Sequence, residues 1–115
     1  MVATIELVLD VSDLDRMVEF YVAALGYERH GAVGQYASIV PPDRAAGVKL
    51  IFQRVDEPKT VKNRFHLDVH HADIETEAAR LESLGARRVQ RYEEFGTSWI
   101  LMSDPEGNEL CVCQG

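Results

Sequence analysis

A group of ionisable residues in the second half of the sequence gives the first indication of chemistry. His66, Asp68 and His70 alternate with apolar residues, so a strand there would carry all three side chains on one face. An imidazole on such a face could act as a general base or orient a ligand, although a lone histidine on a strand is also a common structural residue. His66 is therefore a candidate catalytic residue. Asp68 is either a ligand-binding residue or a solvated carboxylate near the end of a strand.

Glu6 is the second candidate catalytic residue. Sliding the sequence by 60 residues places Glu6 on His66, and both belong to the polar side of an alternating segment. A carboxylate and an imidazole that face one another can share a proton, and each can also bind a metal ion. Glu6 and His66 therefore occupy equivalent positions in the two halves of the sequence.

Two cysteines, Cys111 and Cys113, form a C-x-C pair near the end of the sequence. Residues i and i+2 of a strand share a face, but their spacing disfavours a disulfide. One interpretation is a pair of small buried thiols, since free cysteine is often buried. The other is a pair of metal ligands, although the second Cys/His cluster that a structural zinc site requires is missing.

Trp99 and Tyr36 occupy equivalent predicted strands in the two halves of the sequence. Either ring could line a pocket and stack on a planar ligand. Packing in a core or in a dimer interface is the alternative role, and the pattern leaves open which face of its strand carries Trp99. We predict both as ligand-binding residues.

The elements that must position these residues begin with a strand over residues 4–11, in which odd-numbered apolar residues share a face. Ser12 is the predicted N-cap of a helix with apolar residues at helical spacing over residues 14–25, and Gly26 ends it. The rest of the first half is predicted to form a turn over 29–34, a strand over 35–40, a loop over 43–47 and a strand over 48–55.

The second half repeats this order. A strand with apolar Phe65, Leu67 and Val69 on one face is followed by Asp73 as predicted N-cap, and Gly85 ends the helix. Further strands are predicted over 87–90, 97–102 and 109–113, with a turn over 104–108 that contains Pro and Gly.

The two halves of the sequence, residues 1–57 and residues 58–115, are therefore predicted to form two copies of one structural unit. We predict an α+β fold in which two βαβββ modules form a curved mixed sheet with helices on the convex face. The polar faces of the strands would then form a shared concave surface.

Composition excludes several classes of partner. The net charge is 12 − 19 = −7, which argues against nucleic acid and anionic membranes, because both need a basic surface. The apolar runs are far shorter than the roughly 18 residues of a membrane span. The first residues lack the charged and apolar regions of a signal peptide, so we expect a cytoplasmic protein.

Three segments resemble one known family: LDVSD at residues 9–13, RFHLDV at residues 64–69 and DPEGNE at residues 104–109. Together with the repeated βαβββ order, they are similar to the glyoxalase/bleomycin-resistance/extradiol-dioxygenase superfamily, which has the vicinal oxygen chelate fold. The resemblance covers essentially the whole chain. It implies the fold but no particular reaction.

The resemblance also implies where a divalent metal would lie, because enzymes of this superfamily usually bind one through His and Glu of the first and last strands of each module. His66 matches this pattern, and this match is what favours a catalytic role for His66 over a structural one. Glu6 stands where His is usual, and Cys111 stands where Glu is usual. The fourth position falls on Ile51, which cannot bind a metal, or on Gln53, a weak neutral ligand. The implied site is incomplete, with Glu6, His66 and Cys111 as candidate ligands.

The function that the resemblance favours is binding of a small molecule in the concave face, without a standard metal site. The candidate ligand-binding residues are Tyr36, Gln53, Asp68, Trp99 and Cys111. One alternative is a lyase, isomerase or dioxygenase-type enzyme with an atypical metal or acid–base site at Glu6 and His66. Another is a regulatory module whose concave face binds a protein segment.

A homodimer is the expected assembly, because the superfamily usually pairs modules across chains. Four aromatic residues would leave apolar surface for such a pairing to cover. They are Phe20, Tyr21, Phe65 and Trp99.

Overall fold

A computed structural model describes residues 2–115. The chain forms two compact units, the first ending at Pro58 and the second running from Lys59 to Gly115. Each unit contains one α-helix and one four-stranded mixed sheet, in the order strand, helix and three strands. The prediction of an α+β fold built from two βαβββ modules is confirmed.

The first unit has a sheet of strand order β1-β4-β3-β2, in which β1 and β4 are parallel and the other pairs are antiparallel. A 3-10 helix, Arg44–Ala46, occupies part of the predicted loop. The elements are β1 (Leu7–Val11), α1 (Leu14–Leu25), β2 (Glu28–Val33), β3 (Tyr36–Val40) and β4 (Leu50–Arg54).

The second unit has the same arrangement, with strand order β5-β8-β7-β6 and a parallel pair formed by β5 and β8. Within residues 2–115 no helix is long and apolar enough to cross a bilayer. The elements are β5 (Leu67–His71), α2 (Ile74–Ser83), β6 (Arg87–Glu94), β7 (Thr97–Ser103) and β8 (Glu109–Gln114).

An aspartate immediately before the first helical residue caps each helix. The Asp13 side chain accepts a hydrogen bond from the Arg16 amide at 3.1 Å, and Asp73 does the same for the Thr76 amide at 3.1 Å. These bonds satisfy amides that have no partner inside the helix. Asp73 is the predicted cap, whereas the prediction of Ser12 is wrong, because helix α1 starts one residue later than that cap requires.

Each helix packs its apolar stripe onto its own sheet. In the first unit Tyr21 of α1 contacts Phe20 and Phe52, with ring centroids 4.9 Å and 5.7 Å apart. In the second unit Ile74, Ala78 and Leu81 of α2 are buried. Phe20 and Tyr21 are only 4% and 2% exposed. They are therefore core residues and supply none of the apolar surface that the dimer expectation assigned to them.

The predicted turn over residues 29–34 is wrong. Glu28–Val33 is strand β2, which pairs antiparallel with β3 and contains a bulge between Arg29 and Gly31. The chain reverses afterwards, where Gly34 has a φ of 58°. Every residue of β2 is exposed, so the strand has no alternating apolar pattern and its pairing with β3 alone defines it.

Ile5 and Phe65 were expected on the apolar faces of the first strands, and this expectation is also wrong. They are 61% and 89% exposed, and strands β1 and β5 begin only at Leu7 and Leu67. Glu6 and His66 consequently lie immediately before their strands.

Candidate functional site

An open cavity of about 520 Å³ lies on the sheet of the second unit. The alternate residues of the same strands, such as Ile100, Met102, Leu110 and Val112, are buried. Because successive side chains of a strand point to opposite faces, the cavity occupies the face away from this buried layer. The strand residues that line it include Asp68, His70, Tyr92, Trp99, Leu101, Cys111 and Cys113.

Strand register arranges the floor of the cavity in rows. Asp68 of β5 is the register partner of Cys111 of β8, and Cys111 is also paired with Leu101 of β7. In the next row Cys113 lies between its register partners His70 and Trp99. Residues far apart in the sequence therefore become neighbours through the parallel pairing of β5 and β8.

Trp99 and Tyr92 form an aromatic wall of the cavity. Their rings are stacked, with centroids 5.4 Å apart and planes at 14°. They are register partners on neighbouring strands β7 and β6. The question of which face carries Trp99 is answered by the structure, because Trp99 lines the cavity.

Asp68 lies at the centre of the polar groups in the cavity. Its carboxylate oxygen is 3.1 Å from His66 Nε2, and it also accepts a hydrogen bond from the Cys113 thiol. The potential ligand atoms of His66, Asp68 and Cys111 all lie within 4.8 Å of one another. An imidazole, a carboxylate and a thiol thus converge at one point.

Both thiols of the cavity are held in their neutral form. Burial raises the pKa of Cys111 to about 11, and the nearby negative charge of Asp68 adds to this effect. Burial and Asp68 likewise raise the pKa of Cys113. Desolvation and a neighbouring carboxylate both disfavour a thiolate.

At the edge of the cavity, the segment before β5 is attached to the start of β8 through Glu109. The Glu109 carboxylate accepts a hydrogen bond from the Asn63 amide at 3.1 Å, lies 3.5 Å from Lys59 Nζ and forms a short ion pair with Lys62. Lys62 lowers the pKa of Glu109, and Lys62 itself lines the cavity. Sequence reasoning missed these contacts. Lys62 and Asn63 lie close to His66 in the sequence, which was a signal, whereas Glu109 is far from it and only the fold brings it here.

The remaining predicted residues lie in the first unit. Tyr36 and Ile51 line a shallower cavity of about 370 Å³ on that sheet. Gln53 is the register partner of both Tyr36 and Asp10. Glu6 is half-exposed and forms an ion pair with Lys49 at 3.4 Å.

The structure therefore brings His66, Asp68, Trp99 and Cys111 together, while Tyr36, Gln53 and Glu6 belong to the other unit. The pairing of Glu6 with His66, and the enzyme that would depend on it, stay predictions.

The strand registers also decide whether Ile51 or Gln53 occupies the fourth ligand position that the resemblance implied. In the first unit Val8 is paired with Ile51, as Asp68 is paired with Cys111 in the second. Ile51 is therefore the counterpart of Cys111. Its side chain has no donor atom for a metal.

Comparison with known proteins agrees with this architecture. The sequence model of the Glyoxalase-like domain matches residues 6–113, so the chain belongs to the glyoxalase-like family of the vicinal oxygen chelate superfamily. No functionally curated protein matches the sequence.

Several solved structures share the fold. The fosfomycin resistance protein FosX from Listeria monocytogenes is 14% identical, with a TM-score of 0.81 over 100% of this chain and 95% of that chain. TioX from Micromonospora sp. ML1 is 24% identical, with a TM-score of 0.66 over 97% and 98%. A bleomycin-binding protein complexed with bleomycin is 18% identical, with a TM-score of 0.69 over 99% of each chain.

The ligand positions that the superfamily implies for a divalent metal can be compared with the residues that this chain has there. Of the four expected positions, Ile51 offers no donor and Cys111 replaces a carboxylate by a thiol. The residues of this chain therefore do not fit the standard His/Glu ligand set.

Proposed function

We propose that the protein binds a planar small molecule in the cavity of the second unit and does so without the standard metal site of its superfamily. The observation that carries this proposal is the stacked pair of Tyr92 and Trp99 on the wall of that cavity. A volume of about 520 Å³ lies within the range of small-molecule sites, roughly 300–1,000 Å³.

The aromatic wall is suited to a flat ligand for two physical reasons. Aromatic rings gain additional free energy when they stack in an offset arrangement with another planar group. Trp99 is also mounted on a central strand of the sheet and packed against Tyr92, so less side-chain freedom is lost when a ligand binds. The polar groups beside the wall, Asp68 and His66, can fix the orientation of the ligand.

Relatives with the same fold support binding of small molecules in general. One has been crystallised with bleomycin and another with a dihydroxypropylphosphonic acid and Mn(II). These relatives are 14% and 18% identical to the chain and share its fold alone, so neither ligand is transferred to this chain.

The test uses Trp99, which is the single tryptophan of the sequence. Planar aromatic compounds and bleomycin are titrated into the protein while tryptophan fluorescence and heat of binding are recorded. We expect quenching with the same midpoint as the calorimetric titration. Trp99→Leu should weaken binding at least about tenfold, equivalent to about 1.4 kcal/mol.

Tyr36→Leu in the first unit is the matched control, and it should leave the calorimetric affinity unchanged. Equal losses in Trp99→Leu and Tyr36→Leu, or no binding of any compound in the panel, would contradict the proposal.

We further propose a cytoplasmic homodimer. Phe65 is 89% exposed and Phe95 is 96% exposed, which leaves apolar side chains for a partner to cover. Both cysteines are free thiols, as is usual in a reducing compartment.

Light scattering at micromolar concentration should give twice the mass of one chain, and Phe65→Ser should shift the protein toward the monomer. A monomeric parent protein would exclude the dimer.

A further inference from the structure

We propose that His66, Asp68 and Cys111 form a binding site for one thiophilic divalent cation, such as zinc, built entirely from the second unit. This site differs from the standard set of the superfamily, because Asp68 takes part and Glu6 is not required. It does not depend on the aromatic wall of Tyr92 and Trp99, although Asp68 and His66 also belong to the cavity of the proposed function.

The geometry of two paired strands carries the first step. Asp68 and Cys111 are register partners on β5 and β8, and His66 precedes Asp68 by two residues. Their ligand atoms lie within 4.8 Å of one another. With bond lengths of about 2.0–2.3 Å, ligand atoms around tetrahedral zinc are roughly 3–4 Å apart. Closing onto an ion therefore requires small side-chain movements and no change of the backbone.

The chemistry of the three donors selects the kind of ion. One imidazole nitrogen, one carboxylate oxygen and one sulfur suit zinc, cobalt or cadmium, whereas Mg²⁺ and Ca²⁺ prefer oxygen alone. Three protein ligands would leave a fourth position, and all three residues line the cavity. A bound ion would thus be accessible from the cavity.

Neighbouring groups support the three ligands. The Cys113 thiol donates a hydrogen bond to Asp68, which helps to orient the carboxylate. Burial and Asp68 disfavour the thiolate of Cys111, and the positive charge of Lys62 partly offsets them. Only a thiolate binds the metal, so binding releases the proton of the Cys111 thiol.

The experiment is a titration of the full-length, chelator-treated protein with Co²⁺ under anaerobic conditions. We expect a sulfur-to-cobalt charge-transfer band that saturates at one ion per chain and is displaced by zinc. Cys111→Ser should abolish the band, and Asp68→Asn or His66→Ala should weaken binding at least about tenfold. Far-ultraviolet circular dichroism checks that each variant is folded.

Two further variants test whether the metal is held by Cys113 or by Glu6 instead of the three proposed ligands. Cys113→Ser removes the other thiol but keeps a hydrogen-bond donor for Asp68, so the band should persist. Glu6→Gln should leave the affinity for Co²⁺ within about twofold. Absence of a charge-transfer band in the parent protein, persistence of the band in Cys111→Ser, or a loss in Glu6→Gln equal to that in His66→Ala would each overturn the proposal.

Discussion

Cys111 illustrates how the environment of one residue decides its chemistry. The thiol is 7% exposed and lies beside Asp68, so that burial and a negative charge both oppose ionisation. A cysteine at this pKa is a poor nucleophile at neutral pH, because the thiolate is the reactive form. The same residue becomes a good ligand only when a cation compensates the charge of the thiolate.

The reactivity of Cys111 should therefore depend steeply on pH. We expect slow alkylation by iodoacetamide at pH 7–8 and an increase as the pH approaches the pKa of about 11. Asp68→Asn should accelerate the reaction at pH 8, because it removes a charge that raises this pKa. Mass spectrometry of the peptide that contains Cys111 measures the rate. Rapid alkylation at pH 7 in the folded parent protein would contradict this prediction.

At the scale of elements, the two helices are defined by local bonds that can be tested directly. Both Asp73 carboxylate oxygens accept hydrogen bonds from Thr76, one from its amide and one from its hydroxyl. The bond from the Thr76 amide is the main cause of the lowered pKa of Asp73. The cap thus stabilises the start of α2, the helix that covers the buried face of the second sheet.

Asp73→Ala should lower the free energy of unfolding by about 1 kcal/mol, since it leaves the first helical amides without a side-chain partner. Asp73→Asn is the matched control, because asparagine caps helices nearly as well. Urea denaturation followed by circular dichroism measures both. A loss of equal size in the two variants would mean that the charge, and not the cap, is responsible.

The attachment of the segment before β5 to β8 is a second element-scale feature. Glu109→Ala removes contacts with Asn63, Lys59 and Lys62 at a side chain that is only 12% exposed. We expect a loss of about 1–3 kcal/mol, toward the lower end because Lys62 is 73% exposed. Glu94→Ala, on the exposed strand β6, should cost less than about 0.5 kcal/mol in the same urea experiment.

The whole molecule is a repeated architecture whose two copies have diverged on one face. Their strand orders and registers match, yet Asp68 and Cys111 correspond to Val8 and Ile51. The fold tolerates this exchange, because these positions lie opposite the buried layer that α1 or α2 covers. The candidate site is therefore concentrated in the second unit.

Electrostatics should make the second unit sensitive to acid. Four of its carboxylates accept hydrogen bonds from an arginine, a lysine or a backbone amide, and these bonds lower their pKa values. A lowered pKa in the folded state gives stability that is present above the unfolded value of roughly 4 and is lost as the pH falls through the folded value. The carboxylates are Asp73, Glu75, Glu77 and Glu109.

Amide hydrogen exchange between pH 5 and pH 3, corrected for the intrinsic effect of pH, tests this expectation. Protection should decrease in β7 and β8 before it decreases in β3 and β4. The parent protein at pH 7 provides the reference for each strand. Simultaneous loss of protection in both units would show that these four carboxylates do not dominate the acid response.

The local part of this structure was predictable from sequence because its causes are local. Alternation in β1 and β5, the apolar stripes of the helices, the cap at Asp73 and the turn over residues 104–108 depend on residues a few positions apart. The repeat and the family segments then predicted the βαβββ order. Strand β2 escaped prediction because it is exposed throughout and is defined only by its pairing with β3.

The site depended on tertiary structure for a different reason. Asp68 meets Cys111 because β5 and β8 pair in one particular parallel register, and a shift of one residue would move Cys111 to the buried face. The same constraint decides that Trp99 faces the cavity and that Ile51 is the counterpart of Cys111. The sequence by itself determined the donors and the fold that holds them. Only the packing of helix on sheet, which selects the register, decided which donors meet.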